Sequence, residues 1–507
     1  MHTTPSRVFH STSTVDTTSE STHRKPRLWH EFPRLYVTLG ALLSLLVFRF
    51  ARNNIADPDL WWHLRNAQYL LSTGHFPLRD TYSFTAAGSA WVPHEWLSEI
   101  PYYLAFRMAG LDGVFLLSLV LAEAVVLGTF YLAYRASNDI KNSFIVTAAA
   151  VPLMAVSIAP RTLLFGWVYL VILLVFLQRI KNGERLYCFL LPPLFCLWIN
   201  SHASWLIGMA VFGIVAASGM VEGEWGLIYS GKWPAGQKRS LLVSGVLSVG
   251  ALFINPTTYK AVLWPLGIFH PKSNSVAINY ISELSSLDFH SLLGKVFLLF
   301  LLATFAASLF TARRWELETL GLLALALYGA LTYARLVFLA AIVLTPILAS
   351  RLRLLPPYER HKDKIWLNAT ILLLVGSVFV FAWPTERVLQ EKVSETFPVS
   401  AVDYLKAHGT RGRLFNEYMW GGYMIWSDPE LPVFIDGRGD IFDANGVFND
   451  YADAAALQNT FRIFDKYRIN YVLMPPDSPV CRLLNGAPGW KLEYSDKVSN
   501  LYLREHS

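Results

Sequence analysis

Long apolar runs separated by short polar stretches make up most of the chain. Leu35 to Phe50, Gly113 to Tyr134, Phe144 to Ala159, Leu163 to Leu177, Leu186 to Ile199, Trp205 to Met220, Leu241 to Ile254, Val296 to Phe310, Leu317 to Tyr333, Leu336 to Ser350 and Ile365 to Trp383 each read as a membrane helix. Several hold only about 14 to 16 apolar residues, short of the roughly 20 of a full span, so the pattern predicts about 11 crossings. Residues 1–31 are rich in Ser, Thr and His without apolar period and read as a disordered tail; no apolar core follows the start, so no cleavable signal peptide is expected. Past Thr385 the period changes. Helices are expected at Val399–His408 and Ala452–Tyr467, strands at Arg413–Phe415, Val433–Asp436 and Tyr471–Met474, and a closing pair at Lys491–Tyr494 and Leu501–Leu503. The fold class is thus a polytopic α-helical membrane protein. A transmembrane part, 32–384, contains a large external loop, 52–112, and is followed by a small α/β domain, 385–507.

Composition agrees: 53% of the 507 residues are hydrophobic and only 16% charged, where soluble domains carry about a quarter. The net charge of +6 does not point to nucleic acid, because the basic residues lie between apolar runs rather than in one patch. They report topology instead. Arg24, Lys25, Arg27 and Arg34, then Arg135 and Lys141, Arg179, Lys181 and Arg185, Lys232, Lys238 and Arg239, Arg313 and Arg314, and Arg351 through Lys364 fall on one face. Arg52, Arg65, Arg79, Arg107, Arg161, Lys260, Lys272 and Arg335 fall on the other. The excess places the N-terminus in the cytoplasm, with the first large loop and everything after Trp383 outside it. Cys188, Cys196 and Cys481 form neither a disulfide framework nor a metal-ligand spacing.

The longest polar, acid-bearing interruption runs from Asp57-Pro58-Asp59-Leu60-Trp61-Trp62-His63 to His94-Glu95-Trp96-Leu97-Ser98-Glu99. Two carboxylates two residues apart beside a rigid proline, with His63 four residues after Asp59, can point at one small volume. The structural alternative is that the aspartates cap a helix starting near Leu60, while Trp61, Trp62, Trp91 and Trp96 anchor the loop at lipid headgroups. His63, His94 and Glu95, with the aspartates, are candidate ligands for Mg or Mn, or simply hydrogen-bond one another. In the last part, Trp420-Gly421-Gly422-Tyr423 and Asp436-Gly437-Arg438 sit at strand ends, where open α/β sheets bind ligands, or else form tight turns. Glu123 stands alone in an apolar run, and Glu283 falls in a second external segment, Asn255 to Leu292, that could cover a ligand.

These motifs, with Asn200-Ser201-His202 at the outer end of a helix, resemble a bacterial subgroup of the GT-C integral-membrane glycosyltransferases, similar in plan to protein mannosyltransferases and aminoarabinose transferases. The resemblance implies a polyprenyl-phosphate sugar donor used on the non-cytoplasmic face of a bacterial inner membrane, a glycan, lipid or protein acceptor, and an acid of the first external loop at the catalytic position. Asp57 or Asp59 matches that position; where many relatives carry Asp-Glu this chain has Asp-Pro-Asp, and both stay candidates. Such transfer needs a base for the acceptor hydroxyl and positive charge for the leaving phosphate. Arg335, Arg161, His202 and Lys260 lie at outer helix ends on the same side, with Arg335 the first candidate; an interfacial snorkelling role is the alternative. Trp420, Tyr423, Asp436 and Arg438 are the candidates toward an acceptor or partner. A transporter would cluster polar groups at mid-membrane with internal repeats, which the sequence lacks, and a non-catalytic scaffold or sensor would not need Asp57.

Overall fold

The computed structural model describes residues 34–505, apart from 53, 232, 270–279, 312 and 411. The expected tail with Arg24, Lys25 and Arg27, the loop residues Lys232 and Lys272, and the terminal Ser507 lie outside the described residues. The apolar runs all fold as helices. In chain order these are α1 (Leu35–Ala51), α2 (Pro58–Thr73), α3 (Trp96–Ser137), α4 (Ile140–Met154), α5 (Leu163–Lys181), α6 (Leu186–Ile199), α7 (Trp205–Met220), α8 (Ala235–Ala251), α9 (Tyr259–Phe269), α10 (Leu292–Phe310), α11 (Leu317–Thr332), α12 (Val337–Arg351) and α13 (Ile365–Ala382). Six of the described helices are long and apolar enough to cross a membrane, and α1, α6, α7 and α11 are shorter apolar helices. Phe310 and Phe381 are 90% and 88% exposed on the flanks of α10 and α13. Large apolar side chains left bare on spanning helices mark a lipid-facing surface. The protein is an integral membrane protein.

α12 is the hub. Nearly every residue from Val337 to Ala349 is buried, the mark of a helix that is apolar all round. It packs on α3, α4, α10 and α11, and Phe338 stacks on Trp167 of α5 with ring centroids 4.9 Å apart. α3 begins at Trp96, inside the expected external loop, and breaks at Ala109–Gly110, where Gly110 adopts φ +55. That left-handed turn suits glycine and lets a first amphipathic segment lie apart from the buried span that follows. Glu123, apparently stranded in the sequence, accepts a hydrogen bond from Ser44 of α1 at 2.7 Å.

On the far side of the helices, β1 (Gly223–Trp225), β2 (Ile228–Ser230) and β3 (Trp315–Glu316) form a small sheet. After α13 come α14 (Glu386–Thr396), α15 (Val399–Ala407), β4 (Leu414–Asn416), α16 (Gly421–Ser427), α17 (Gly439–Ala444), α18 (Val447–Ala455), α19 (Thr460–Tyr467), β5 (Tyr471–Met474), α20 (Pro479–Leu484), β6 (Trp490–Ser495) and β7 (Asn500–Arg504). The sheet order is β4-β5-β7-β6, with β4 and β5 parallel and the other pairs antiparallel.

Two expected elements differ. Val433–Asp436 does not enter this sheet: Val433 N–H donates to the Tyr82 carbonyl and Phe84 N–H to the Val433 carbonyl, while Asn416 bonds Phe434 N–H and the Ile435 carbonyl. An apolar run pairs wherever open backbone groups are offered, and here the Tyr82–Phe84 segment offers them. The expected helix Ala452–Tyr467 is two helices, α18 and α19, parted by Leu457 and Asn459 at positive φ.

Candidate functional site

The site is built where three segments at the ends of the apolar helices meet. Asp57 is the N-cap of α2, accepting from Asp59 N–H at 3.0 Å, with Pro58 in the first turn. Asp57 therefore does the capping, and Asp59 is left to face a cavity of about 930 Å³. Trp61, Trp62 and Trp91 are buried rather than set at the lipid boundary; Trp61 packs edge-on to Phe397 and Tyr423. Trp96 donates to the Asn200 side chain at 2.8 Å, and Leu97 N–H to its carbonyl at 3.0 Å, which holds the Asn200–His202 turn against Glu95.

The last part of the chain forms one wall. A Cβ on Gly437 would lie 2.0 Å from Asp59 Oδ1, and one on Gly422 would lie 2.4 Å from the Pro58 carbonyl. These glycines serve close approach of two chain segments rather than turns at positive φ. Arg438 clamps the approach: its Nη2 reaches Asp436 at 2.6 Å and Asp80 at 2.7 Å, and the guanidinium lies over Tyr82 and Trp91. All three charged groups are buried.

Along the opposite wall runs a chain of alternating charge. Asp57 pairs with Arg161 Nε, Arg161 Nη1 bonds Glu283 at 2.6 Å, and Arg335 Nη2 bonds the other Glu283 oxygen at 3.3 Å. Burial, and after it the negative charge of Asp57, pushes the Asp59 carboxyl up to about 6 against the opposing pull of Arg161, His63 and the Trp62 hydrogen bond. Trp62 Nε1 holds Asp59 Oδ1 at 3.0 Å. Among the described residues, Asp59 Oδ2, Arg335 Nε and Arg438 Nη1 have no hydrogen-bond partner.

Beside Asp59 sits a histidine cluster around Glu95. The Nε2 atoms of His202, His63 and His94 stand 3.4, 3.6 and 3.8 Å from its carboxylate. Burial opposes a charge on His63, yet the Glu99 hydrogen bond at 2.9 Å and the charges of Glu95, Glu99 and Asp59 raise its pKa. Burial lowers His202 to about 4, so it is neutral near pH 7; its Nδ1 accepts from Ser204 N–H, which leaves the proton on Nε2. Burial alone would raise Glu95, but His94, His202 and His63 bring it below its ordinary value. His94 stacks on Trp264, whose indole N–H donates to Asp440 at 2.9 Å.

Of the sequence candidates, Asp59, His63, His94, Glu95, Arg161, His202, Arg335 and Arg438 line this cavity. Asp57 lies directly behind it through Arg161. Lys260 does not reach it; its side chain is exposed elsewhere. Trp420 and Tyr423 are buried packing residues, the first donating to the Thr396 carbonyl and the second stacked on Phe397, and Asp436 is buried as the partner of Arg438. Sequence reasoning gave no role to Glu99, Trp264 and Asp440, and to Glu283 none beyond a possible second acid in a covering segment. The spacing of Glu95 and Glu99 at i and i+4 on one helix face was a usable signal for the first; only the fold joins the others. Of the two readings of His63, His94 and Glu95, ligands for Mg or Mn or hydrogen-bond partners, the structure shows the close contacts around Glu95, and no group of three or more His, Cys, Asp or Glu among the described residues is placed to hold a metal ion. Asp57 is already engaged by Arg161 and Asp59 N–H. No step below passes through a cation.

No family model matches the chain, and no curated protein matches it in sequence. Solved structures do match in fold. The Archaeoglobus fulgidus oligosaccharyltransferase tethered with an acceptor peptide superposes with a TM-score of 0.54 at 11% identity, over 95% of this chain and 75% of that one. The same organism's oligosaccharyltransferase AglB, in complex with an inhibitory peptide and a dolichol-phosphate, gives 0.52 at 9% identity over 90% and 71%. ArnT from Cupriavidus metallidurans bound to undecaprenyl phosphate gives 0.50 at 13% identity over 92% and 97%. At such identities the likeness is one of fold: this chain shares the overall fold of the oligosaccharyltransferase and ArnT structures.

Proposed function

We propose that the protein is a membrane glycosyltransferase that moves a hexosyl or pentosyl unit from a polyprenyl-phosphate donor to a glycan, lipid or protein acceptor. It works on the non-cytoplasmic face of a bacterial inner membrane, with eleven crossings and the last α/β domain outside. The observation that carries the reading is one cavity holding a carboxylate with a pKa near 6 and two arginines on the adjoining wall, in a GT-C fold. That solved structures of this fold hold dolichol-phosphate and undecaprenyl phosphate supports the choice of donor.

Asp59 is the general base. It faces the cavity with one oxygen unbonded among the described residues, whereas both Asp57 oxygens are committed. The acceptor oxygen attacks the anomeric carbon and its proton passes to Asp59. The carbon–oxygen bond to phosphate breaks, the electron pair staying on the phosphate, and the single displacement inverts the centre. Arg335 meets the growing phosphate charge, since its side chain is 40% exposed and its Glu283 bond is the longer of the two, while Arg161 is held from both sides. Stabilisation that grows along the reaction raises turnover.

The test is release of undecaprenyl phosphate from a panel of undecaprenyl-phosphate hexoses and pentoses by protein in nanodiscs. Turnover with at least one lipid-linked sugar and none with nucleotide sugars is expected. Turnover with a nucleotide sugar alone would reverse the donor assignment.

A further inference from the structure

A second cavity, of about 440 Å³, lies at the other ends of the helices that carry the first site. α5 starts beside Arg161 and ends at Lys181; α12 starts beside Arg335 and ends at Arg351. With 19 residues in α5, a rise of 1.5 Å per residue separates the two cavities by about 28 Å, close to the thickness of a hydrocarbon core. The deep wall is apolar, with Leu174, Leu177, Leu322 and Ile342.

The mouth carries five cations and two carboxylates. Lys181 bonds both Glu316 and Glu318, at 2.5 and 2.6 Å, and Arg314 bonds Glu224 at 2.9 Å. That uses up the local negative charge. Arg135, Arg313 and Arg351 have no carboxylate partner among the described residues. Arg313 donates to the Ser350 carbonyl at 3.2 Å, Arg351 donates to the Arg313 carbonyl at 3.2 Å, and the Arg351 guanidinium lies 3.6 Å from the Trp315 ring centre. Arg351 is buried. Helix C-termini attract cations, which accounts for one arginine at each end of α3 and α12. It does not account for Arg313, which follows α10 and is held against Arg351 by two backbone contacts despite like charge. With Arg351 buried and Arg135 and Arg313 exposed at the mouth, three guanidinium groups gather around a partly enclosed apolar cleft with no carboxylate partner among the described residues; for buried Arg351 such a charge is costly without a counter-ion.

We propose that this cavity is a phosphate-binding site on the membrane face opposite Asp59, taking the headgroup of an anionic phospholipid or a soluble phosphate. A basic pocket between helices suits a lipid phosphate, and guanidinium forks meet its oxygens in pairs.

The experiment uses the full-length protein, stripped of lipid in detergent, with native mass spectrometry and thermal melting as readouts. Added probes are phosphatidylglycerol, phosphatidylcholine and inorganic pyrophosphate. The expected result is phosphatidylglycerol retention over phosphatidylcholine on the order of tenfold, lost in the double variant Arg135→Gln/Arg313→Gln and kept in Arg353→Gln, an exposed cation outside the cavity. Leu322→Trp keeps the charges and fills the apolar wall. Loss of phosphatidylglycerol with pyrophosphate binding kept marks a lipid site, while stabilisation by pyrophosphate alone in the wild type marks a soluble phosphate. Equal binding of both lipids with no pyrophosphate effect overturns the proposal. So does unchanged binding in the double variant; if that variant does not fold, Leu322→Trp and the lipid comparison still decide.

Discussion

Asp57 and Asp59 stand two residues apart and have different surroundings. Asp57 is held by Arg161 and caps α2, while Asp59 faces the cavity. Asp59→Asn keeps the shape and removes the base, so turnover should fall by a factor on the order of 10² or more with melting temperature nearly unchanged. Asp57→Asn should instead lower the melting temperature, because Arg161 loses one of its two carboxylates while Asn still caps α2. If the two variants exchange these effects, Asp57 is the base. The raised Asp59 pKa fixes the pH dependence. The base must be ionised, so turnover should climb as pH rises through about 6 and level off above it. Stability takes the opposite slope from this group: between about 4 and 6 the unfolded chain has already released a proton that the folded chain still holds, so rising pH favours unfolding there. Glu283 stands where the leaving phosphate would meet Arg335. Glu283→Gln should therefore lower the donor KM, and Arg335→Lys, which keeps the charge but loses the two-pronged contact, should lower kcat at saturating donor. Near-normal turnover of the Lys variant would leave Arg335 as an interfacial anchor.

Elements show how far the sequence could be read. The apolar runs became helices because their signal is local: any run of such residues in lipid must satisfy its own backbone. The strands Tyr471–Met474 and Leu501–Leu503 were legible for the same reason. Val433–Asp436 was not, since its partner is the distant Tyr82–Phe84 segment and nothing local encodes a pairing across some 350 positions. Separation along the chain likewise hid the Trp264–Asp440 hydrogen bond and the pairs of Glu283 with Arg161 and Arg335, whereas the acids of Asp57–Glu99 announced themselves by standing in an apolar chain. Gly437 tests the contact between the two segments. Gly437→Ala would press a methyl group on Asp59 Oδ1, and the neighbour on that side is held by Trp62. Turnover should fall at least about tenfold, the cost of an ångström-scale misplacement at a reacting group, and the pH–rate midpoint should move. Wild-type turnover with an unmoved midpoint would show that the segments part during the reaction.

Across the whole molecule, the same helices carry a carboxylate site at one end and an arginine-rich cleft at the other, so orientation in the membrane decides what each end can meet. The cationic end is the one the positive-inside rule assigns to the cytoplasm, and Arg351, Arg353, Arg360, Lys362 and Lys364 before α13 weigh the same way. α13 is an apolar helix of 18 residues, long enough to cross, and a crossing there before α14 would put the last sheet on the Asp59 face. Contacts agree with that placement, because Arg438 reaches Asp80 and Gly437 lies against Asp59 directly. Lys362→Cys and Glu391→Cys, both at exposed positions on either side of α13, make the test in cells with a membrane-impermeant maleimide. Glu391→Cys should label in intact spheroplasts and Lys362→Cys only after lysis, against a background without Cys196, the one native cysteine that is not buried. The reverse pattern would turn the molecule over: Asp59 would then face the cytoplasm, where nucleotide sugars are at hand, and the lipid-linked donor would lose its topological support. Labelling of both positions in intact spheroplasts would mean that α13 does not cross.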